Sequence, residues 1–96
     1  MKRLGEQEIA MALRDHPEWG YDGARSAFHR DLKLRDFSEA FALMTRIAMA
    51  AEKADHHPEW SNVYNRLSIV LTTHDAGGVT KRDVAMMAAI DEMTGK

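Results

Sequence analysis

The spacing of apolar residues divides the chain into segments with two different periodicities. Three segments repeat apolar positions every three to four residues, which is typical of a helix that packs on one face. Two other segments alternate apolar and polar residues as half-buried strands do, and each contains a turn signal, at Asp22-Gly23 and at Asn65-Arg66. The predicted order is helix, two strands, helix, two strands, helix, with the helices at 6–14, 36–54 and 81–93 and the strand pairs within 19–35 and 60–74.

This order of elements predicts an α+β fold. An apolar helix face must be buried against another layer, so we expect a four-stranded antiparallel sheet with all three helices on one face. Residues 1–96 would form a single domain. One phase of the last strand and the stripes of the second and third helices predict a common core of Phe37, Phe41, Met44, Ile47, Leu67, Ile69, Leu71, Val84, Met87 and Ile90.

Composition narrows the class of protein. With 96 residues, 45% of them hydrophobic, the chain can bury only a small core, so self-association through strand edges or the uncovered sheet face would stabilise it. The formal charge of −2 gives no basic footprint for nucleic acid, and the absence of cysteine excludes disulfides and thiolate metal sites. No apolar stretch reaches membrane-spanning length and no signal-peptide pattern opens the sequence, so we expect a cytoplasmic protein.

Three of the five histidines lie where regular structure should end. His56 and His57 precede Pro58, which disfavours helix at the residue before it, and His74 closes the last alternating segment. Histidine is the side chain whose unperturbed pKa allows proton transfer near neutral pH. The cluster is therefore a candidate for acid–base chemistry.

The residue pattern alone leaves three interpretations of this cluster open. The histidines could bind zinc, with a carboxylate of Asp55, Asp75 or Asp83 completing the ligand set. They could instead be cations that favour the negative end of a helix, or metal-free acid–base groups oriented by neighbouring carboxylates. A fourth histidine, His16, is expected to lie at a solvated helix end.

A longer motif surrounds the three histidines. It reads Glu52-x-x-Asp55-His56-His57-Pro58-x-Trp60, then Val63-Tyr64, then Leu67-x-Ile69-x-Leu71-x-Thr73-His74, then Gly77-Gly78-x-Thr80-x-x-Asp83. This third of the chain resembles the pterin-4a-carbinolamine dehydratase family. The resemblance continues upstream at Trp19, Asp22-Gly23, Phe28, Asp36-Phe37 and Met44-Thr45-Arg46, and it is weakest in the first helix.

The resemblance implies the same fold and a specific reaction. Family members dehydrate a 4a-hydroxytetrahydropterin to the quinonoid dihydropterin, as part of tetrahydrobiopterin recycling. This reaction needs a proton for the leaving C4a hydroxyl and the loss of a proton from N5, with no metal or redox cofactor. By resemblance, His56, His57 and His74 carry the acid–base work and pterin binding, with His57 the foremost acid–base group.

Supporting roles follow for five further residues. By the same resemblance, Glu52, Asp55 and Thr73 are expected to contact the pterin or the histidines. Thr80 and Asp83 have the spacing of a capping box at the start of the last helix. We favour that structural role for Asp83.

The resemblance also implies partners. Family members dimerise through their sheets and some form tetramers, so we expect a homodimer or homotetramer, and a functional link to an aromatic amino-acid hydroxylase is suggested. Animal relatives serve as dimerisation cofactors of a transcription factor and others as assembly factors. A non-catalytic interaction module is therefore the alternative to the enzyme, and the complete set of three histidines favours the enzyme.

Overall fold

The computed structural model describes residues 1–95 and contains the predicted elements in the predicted order. They are α1 (Glu6–Asp15), β1 (Gly20–Asp22), β2 (Ala27–Lys33), α2 (Phe37–Ala54), β3 (Glu59–Val63), β4 (Arg66–Leu71), a 3₁₀ helix (His74–Ala76) and α3 (Lys81–Thr94). The strands form one antiparallel sheet in the order β1-β2-β4-β3. The predicted α+β fold with a four-stranded antiparallel sheet is therefore confirmed. No helix within residues 1–95 is both long enough and apolar enough to cross a bilayer.

The register of β3 and β4 decides which loops meet. Glu59 pairs with Val70, and each step back along β3 is a step forward along β4. Beyond the paired residues, His56 before β3 and Thr73 after β4 both bond to the Asp83 carboxylate. The end of α2, the start of β3 and the segment after β4 therefore meet at one end of the sheet.

The core lies between the helices and one face of the sheet. β4 shows this most clearly, because Leu67, Ile69 and Leu71 are fully buried while Arg66 is exposed. The buried apolar cluster consists of Ala12, Trp19, Phe28, Leu43, Ile47, Ala51, Leu67, Ile69, Leu71, Val79, Met86, Met87 and Ile90. Of the other predicted core residues, Met44 and Val84 pack half-buried against this cluster.

The buried face of α2 is rotated from the predicted stripe. Phe37 and Phe41 are 47% and 56% exposed, so their placement in the core was wrong. Their rings pack on each other instead, with centroids 5.8 Å apart. The helix carries apolar residues on two adjacent stripes, and contact with the sheet and α3 selects the one that contains Leu43 and Ile47. Periodicity alone does not choose between such neighbouring stripes.

A buried polar cluster connects the end of α1 to α3. Asp91 accepts hydrogen bonds from Trp19 Nε1 and Arg30 Nη1, each at 2.7 Å, and lies 2.8 Å from His16 Nδ1. The His16 side chain is only 17% exposed, so the expectation of a solvated helix end was wrong. Its partner lies 75 residues away in the sequence, where no local pattern could reveal it.

Candidate functional site

The end of α2 directs two adjacent histidines into different environments. Asp55 caps the helix in the left-handed conformation, with φ 53° and ψ 44°, and its N–H bonds to carbonyls of the last turn. Aspartate is one of the few residues that adopt this conformation readily. The chain reverses there, and the backbone N–H of His56 still reaches the Ala51 carbonyl at 3.0 Å. His56 is then buried, while His57 is exposed.

His56 belongs to a buried network that also contains Thr73, Thr80 and Asp83. His56 Nε2 lies 2.6 Å from Asp83 Oδ1, and the Asp83 side chain is completely buried. The second carboxylate oxygen accepts from the Thr80 N–H and from the Thr73 hydroxyl, each at 2.8 Å. A buried carboxylate is tolerated when its oxygens are satisfied in this way.

The buried network also fixes the start of α3. Thr80 is the N-cap of the helix, and Asp83 completes a capping box with it. The Thr73 hydroxyl is 2.9 Å from the Thr80 hydroxyl as well as bonded to Asp83. The network therefore ties the end of α2, the end of β4 and the start of α3 together. The Thr73 hydroxyl points into it, which leaves its expected contact with a pterin a prediction.

An exposed pair forms at the last turn of α2. His57 Nε2 lies 2.7 Å from Glu52 Oε1, and the two side chains are 57% and 82% exposed. The residues are five apart, so the pair spans the chain reversal at Asp55. Among the described residues, the other ring nitrogen of His57 has no hydrogen-bond partner.

The segment after β4 holds the third histidine. A bridge between Thr73 and Gly78 closes a short loop, and His74 opens the 3₁₀ helix inside it. Gly77 caps this helix with a φ of 75°, a conformation that glycine adopts without the steric cost of a side chain. The loop places His74 at the same end of the sheet as the start of β3.

His74 is paired with a residue that sequence reasoning missed. His74 Nε2 lies 2.5 Å from Glu59 Oε2, and Arg25 Nη2 donates to Glu59 Oε1 at 3.2 Å. Glu59 occupied an unassigned position of the motif, between Pro58 and Trp60. The pairing of β3 with β4 could have indicated that Glu59 lies near His74, whereas nothing in the sequence indicated Arg25.

The three histidines therefore sit at one end of the sheet but in two kinds of environment. His57 and His74 are exposed, each with one ring nitrogen bonded to a glutamate, an arrangement that can orient an imidazole for proton transfer. His56 is bonded inside the buried network, so the acid–base or pterin-binding role that the resemblance gives it stays a prediction. Asp55 is exposed beside them. Among residues 1–95, no three histidine or carboxylate side chains converge as a metal-ligand set.

Nearly the whole chain matches known proteins. Residues 2–93 match the family model described as pterin 4 alpha carbinolamine dehydratase. A protein from Rhizorhabdus wittichii is 58% identical over 90 residues, which are 94% of this chain and 93% of the relative. One from Rhodospirillum rubrum is 47% identical over 93 residues, 97% of each chain. Both are named, provisionally, as pterin-4-alpha-carbinolamine dehydratases.

A solved structure has the same fold over the same length. The crystal structure of a transcriptional coactivator/pterin dehydratase from Brucella melitensis superposes with a TM-score of 0.93 at 43% sequence identity. The match covers 96% of this chain and 98% of that one. The similarity therefore includes the end of the sheet that carries the three histidines.

Proposed function

The chain belongs to the pterin 4-alpha-carbinolamine dehydratase family, and we propose that it dehydrates a 4a-hydroxytetrahydropterin to the quinonoid dihydropterin. In this reaction the C4a–O bond breaks, the hydroxyl leaves as water after it takes up a proton, and N5 loses a proton. One proton donor and one proton acceptor within reach of the pterin are sufficient. The observation that carries the proposal is the pair of exposed histidines, each held by its own glutamate, at one end of the sheet.

In the proposal, His57 and His74 perform the proton transfers and hold the pterin. Each ring is fixed through Nε2 and presents its other nitrogen without a protein partner in the described part of the chain. His57 is the foremost acid–base group, and Glu52 orients its ring. Exposure supports this role, because a substrate must reach the nitrogen that exchanges the proton.

His56 has a different place in the proposal. Resemblance gave it acid–base work, but its burial and its bond to Asp83 support a role in shaping the site. It fixes the chain reversal from which His57 projects. Asp55, exposed at that reversal, remains the proposed additional contact with the pterin.

The proposal also covers cofactors, the source of the substrate and assembly. Because dehydration changes no oxidation state, the proposed reaction needs no redox cofactor. In the proposal, His57 and His74 supply both proton transfers, so no metal takes part. An oxygenating enzyme such as an aromatic amino-acid hydroxylase would supply the carbinolamine in the cytoplasm. Exposed Phe37 and Phe41 offer apolar surface that supports self-association into a homodimer or homotetramer.

Turnover of chemically synthesised carbinolamine tests the proposed function. The expected result is dehydration faster than the spontaneous reaction, at the same rate with and without a strong chelator. The matched control is the double variant His57→Ala, His74→Ala, which removes both exposed rings and keeps the buried network intact. A folded parent protein no faster than this control would contradict the proposal. It would favour the interaction module, the alternative that the name of the Brucella protein also suggests.

A further inference from the structure

A chain of three charged or polar side chains lies at the end of the sheet that carries the histidines, on the side not covered by helices. Arg25 lies in the turn between β1 and β2, Glu59 opens β3, and His74 follows β4. Arg25 Nη2 bonds one oxygen of Glu59, and the other oxygen bonds His74 Nε2. Three separate parts of the chain therefore determine where the His74 ring lies.

The His74 ring needs such a restraint to act at a fixed position. Its side chain is 79% exposed and stands on a three-residue 3₁₀ helix, so packing does not fix its rotamer. Glu59, in contrast, is anchored on a strand whose backbone pairs with Val70 of β4. A bond from a rigid strand to a mobile ring reduces the rotamer freedom that substrate binding would otherwise have to remove.

The bond also determines which nitrogen of His74 is available. A carboxylate only accepts hydrogen bonds, so the nitrogen that faces Glu59 must carry the hydrogen. Nε2 is thereby occupied, and Nδ1 is left without a protein partner among the described residues. Any proton exchange or hydrogen bond with a substrate then uses Nδ1.

We propose that Glu59, held by Arg25, is a positioning residue that orients His74 so that Nδ1 meets the pterin. This inference rests on the proposed function. Glu59 acts through His74 and exchanges no proton with the substrate. Glu59 thereby joins the candidate site, although the motif assigned no role to its position.

Arg25 is itself placed for this role. The Asp22 carboxylate accepts the backbone N–H groups of Ala24 and Arg25, at 3.0 and 3.3 Å, and so fixes the turn from which Arg25 reaches Glu59. The Arg25 bond to Oε1 holds the carboxylate with Oε2 towards His74. Since Arg25 reaches His74 only through Glu59, its contribution should be smaller than that of Glu59.

A double-mutant cycle between Glu59 and His74 tests the proposal. Glu59→Ala is expected to lower kcat/KM about tenfold in the parent, within the usual range for coupled neighbours, and to have no further effect in a His74→Ala background. Glu59→Gln keeps an acceptor oxygen and should retain most of the kcat/KM that Glu59→Ala loses. Asp31→Asn is the matched control, because Asp31 is an exposed carboxylate on the same sheet face that bonds Ser68 and should leave activity unchanged.

A second measurement needs no catalytic activity. NMR relaxation of the labelled His74 ring should show lower order in Glu59→Ala, intermediate order in Arg25→Met, and the parent value in Asp31→Asn. If the parent protein were inactive, the proposed function would be overturned. The order of the His74 ring would still show whether Glu59 positions it. Ring order unchanged in Glu59→Ala, or an equal activity loss with and without His74, would overturn the positioning role.

Discussion

The buried network and the exposed pairs contain the same kind of contact in opposite surroundings. A histidine nitrogen lies 2.6 Å from a carboxylate oxygen in the pair of His56 with Asp83, and 2.7 Å in the pair of His57 with Glu52. The side chains are 10% and 0% exposed in the first pair, but 57% and 82% exposed in the second. The distance between the two atoms therefore does not distinguish a buried pair from an accessible one.

The difference lies in what replaces the partner when the contact breaks. Water solvates either member of the exposed pair, so that pair contributes at most about 1 kcal/mol to stability. The carboxylate of Asp83 has no water to replace its partners, so separating it leaves buried donors unsatisfied. In the proposed reaction, the same solvent access that makes the exposed pair weak would allow a substrate to reach its histidine.

The largest expected effect is on catalysis, in His57→Ala. Loss of one positioned acid–base group should lower kcat by roughly 10²–10⁴-fold. The free energy of unfolding should change by less than about 1 kcal/mol, because the pair with Glu52 is exposed. Steady-state kinetics and urea unfolding on the same preparation measure both. A variant that dehydrates the carbinolamine as fast as the parent would show that His57 is not the acid–base group.

Asp83→Ala is expected to lower the stability of the fold, unlike His57→Ala. This change leaves His56 Nε2, the Thr80 N–H and the Thr73 hydroxyl without their carboxylate. Breaking a buried pair from one side costs about 3–5 kcal/mol. Urea unfolding measures the loss, with Glu52→Ala as the exposed control that should cost less than about 1 kcal/mol. An equal loss of unfolding free energy in Asp83→Ala and Glu52→Ala would show that burial does not distinguish the two pairs.

A smaller effect is expected for Thr73→Val, which keeps the shape but deletes the hydroxyl. One hydrogen bond to a buried charge is lost, so the free energy of unfolding should fall by about 1.5–3 kcal/mol. KM for the pterin should stay unchanged, because the hydroxyl faces Asp83. Kinetics at saturating and limiting substrate separate KM from kcat. An increased KM would show that Thr73 contacts the pterin, as the family resemblance implied.

The elements were predictable because they follow from local periodicity. The alternation that predicts β4 is the alternation seen in its burial, with Leu67, Ile69 and Leu71 inside. The orientation of α2 was not predictable in the same way, because two apolar stripes lie side by side on it. Tertiary contact chose the stripe with Leu43 over the one with Phe41.

The candidate site was likewise predictable only in part. The motif indicates the three histidines, but their partners depend on contacts between distant positions. Asp83 is 27 residues from His56, and its local capping pattern with Thr80 concealed this second contact. Glu59 is 15 residues from His74 and meets it only through the pairing of β3 with β4.

The smallest effect is expected for Phe41→Ala, a change that would cost about 3–5 kcal/mol if the ring lay in the core. Phe41 is 56% exposed, so the loss in the isolated chain should stay below about 1 kcal/mol. Ile47→Ala, on the buried face of the same helix, is the control and should cost about 2–5 kcal/mol. Urea unfolding over a range of protein concentrations measures both. A Phe41 loss that grows with concentration would indicate that a second copy covers the ring, whereas a large, concentration-independent loss would contradict its exposure.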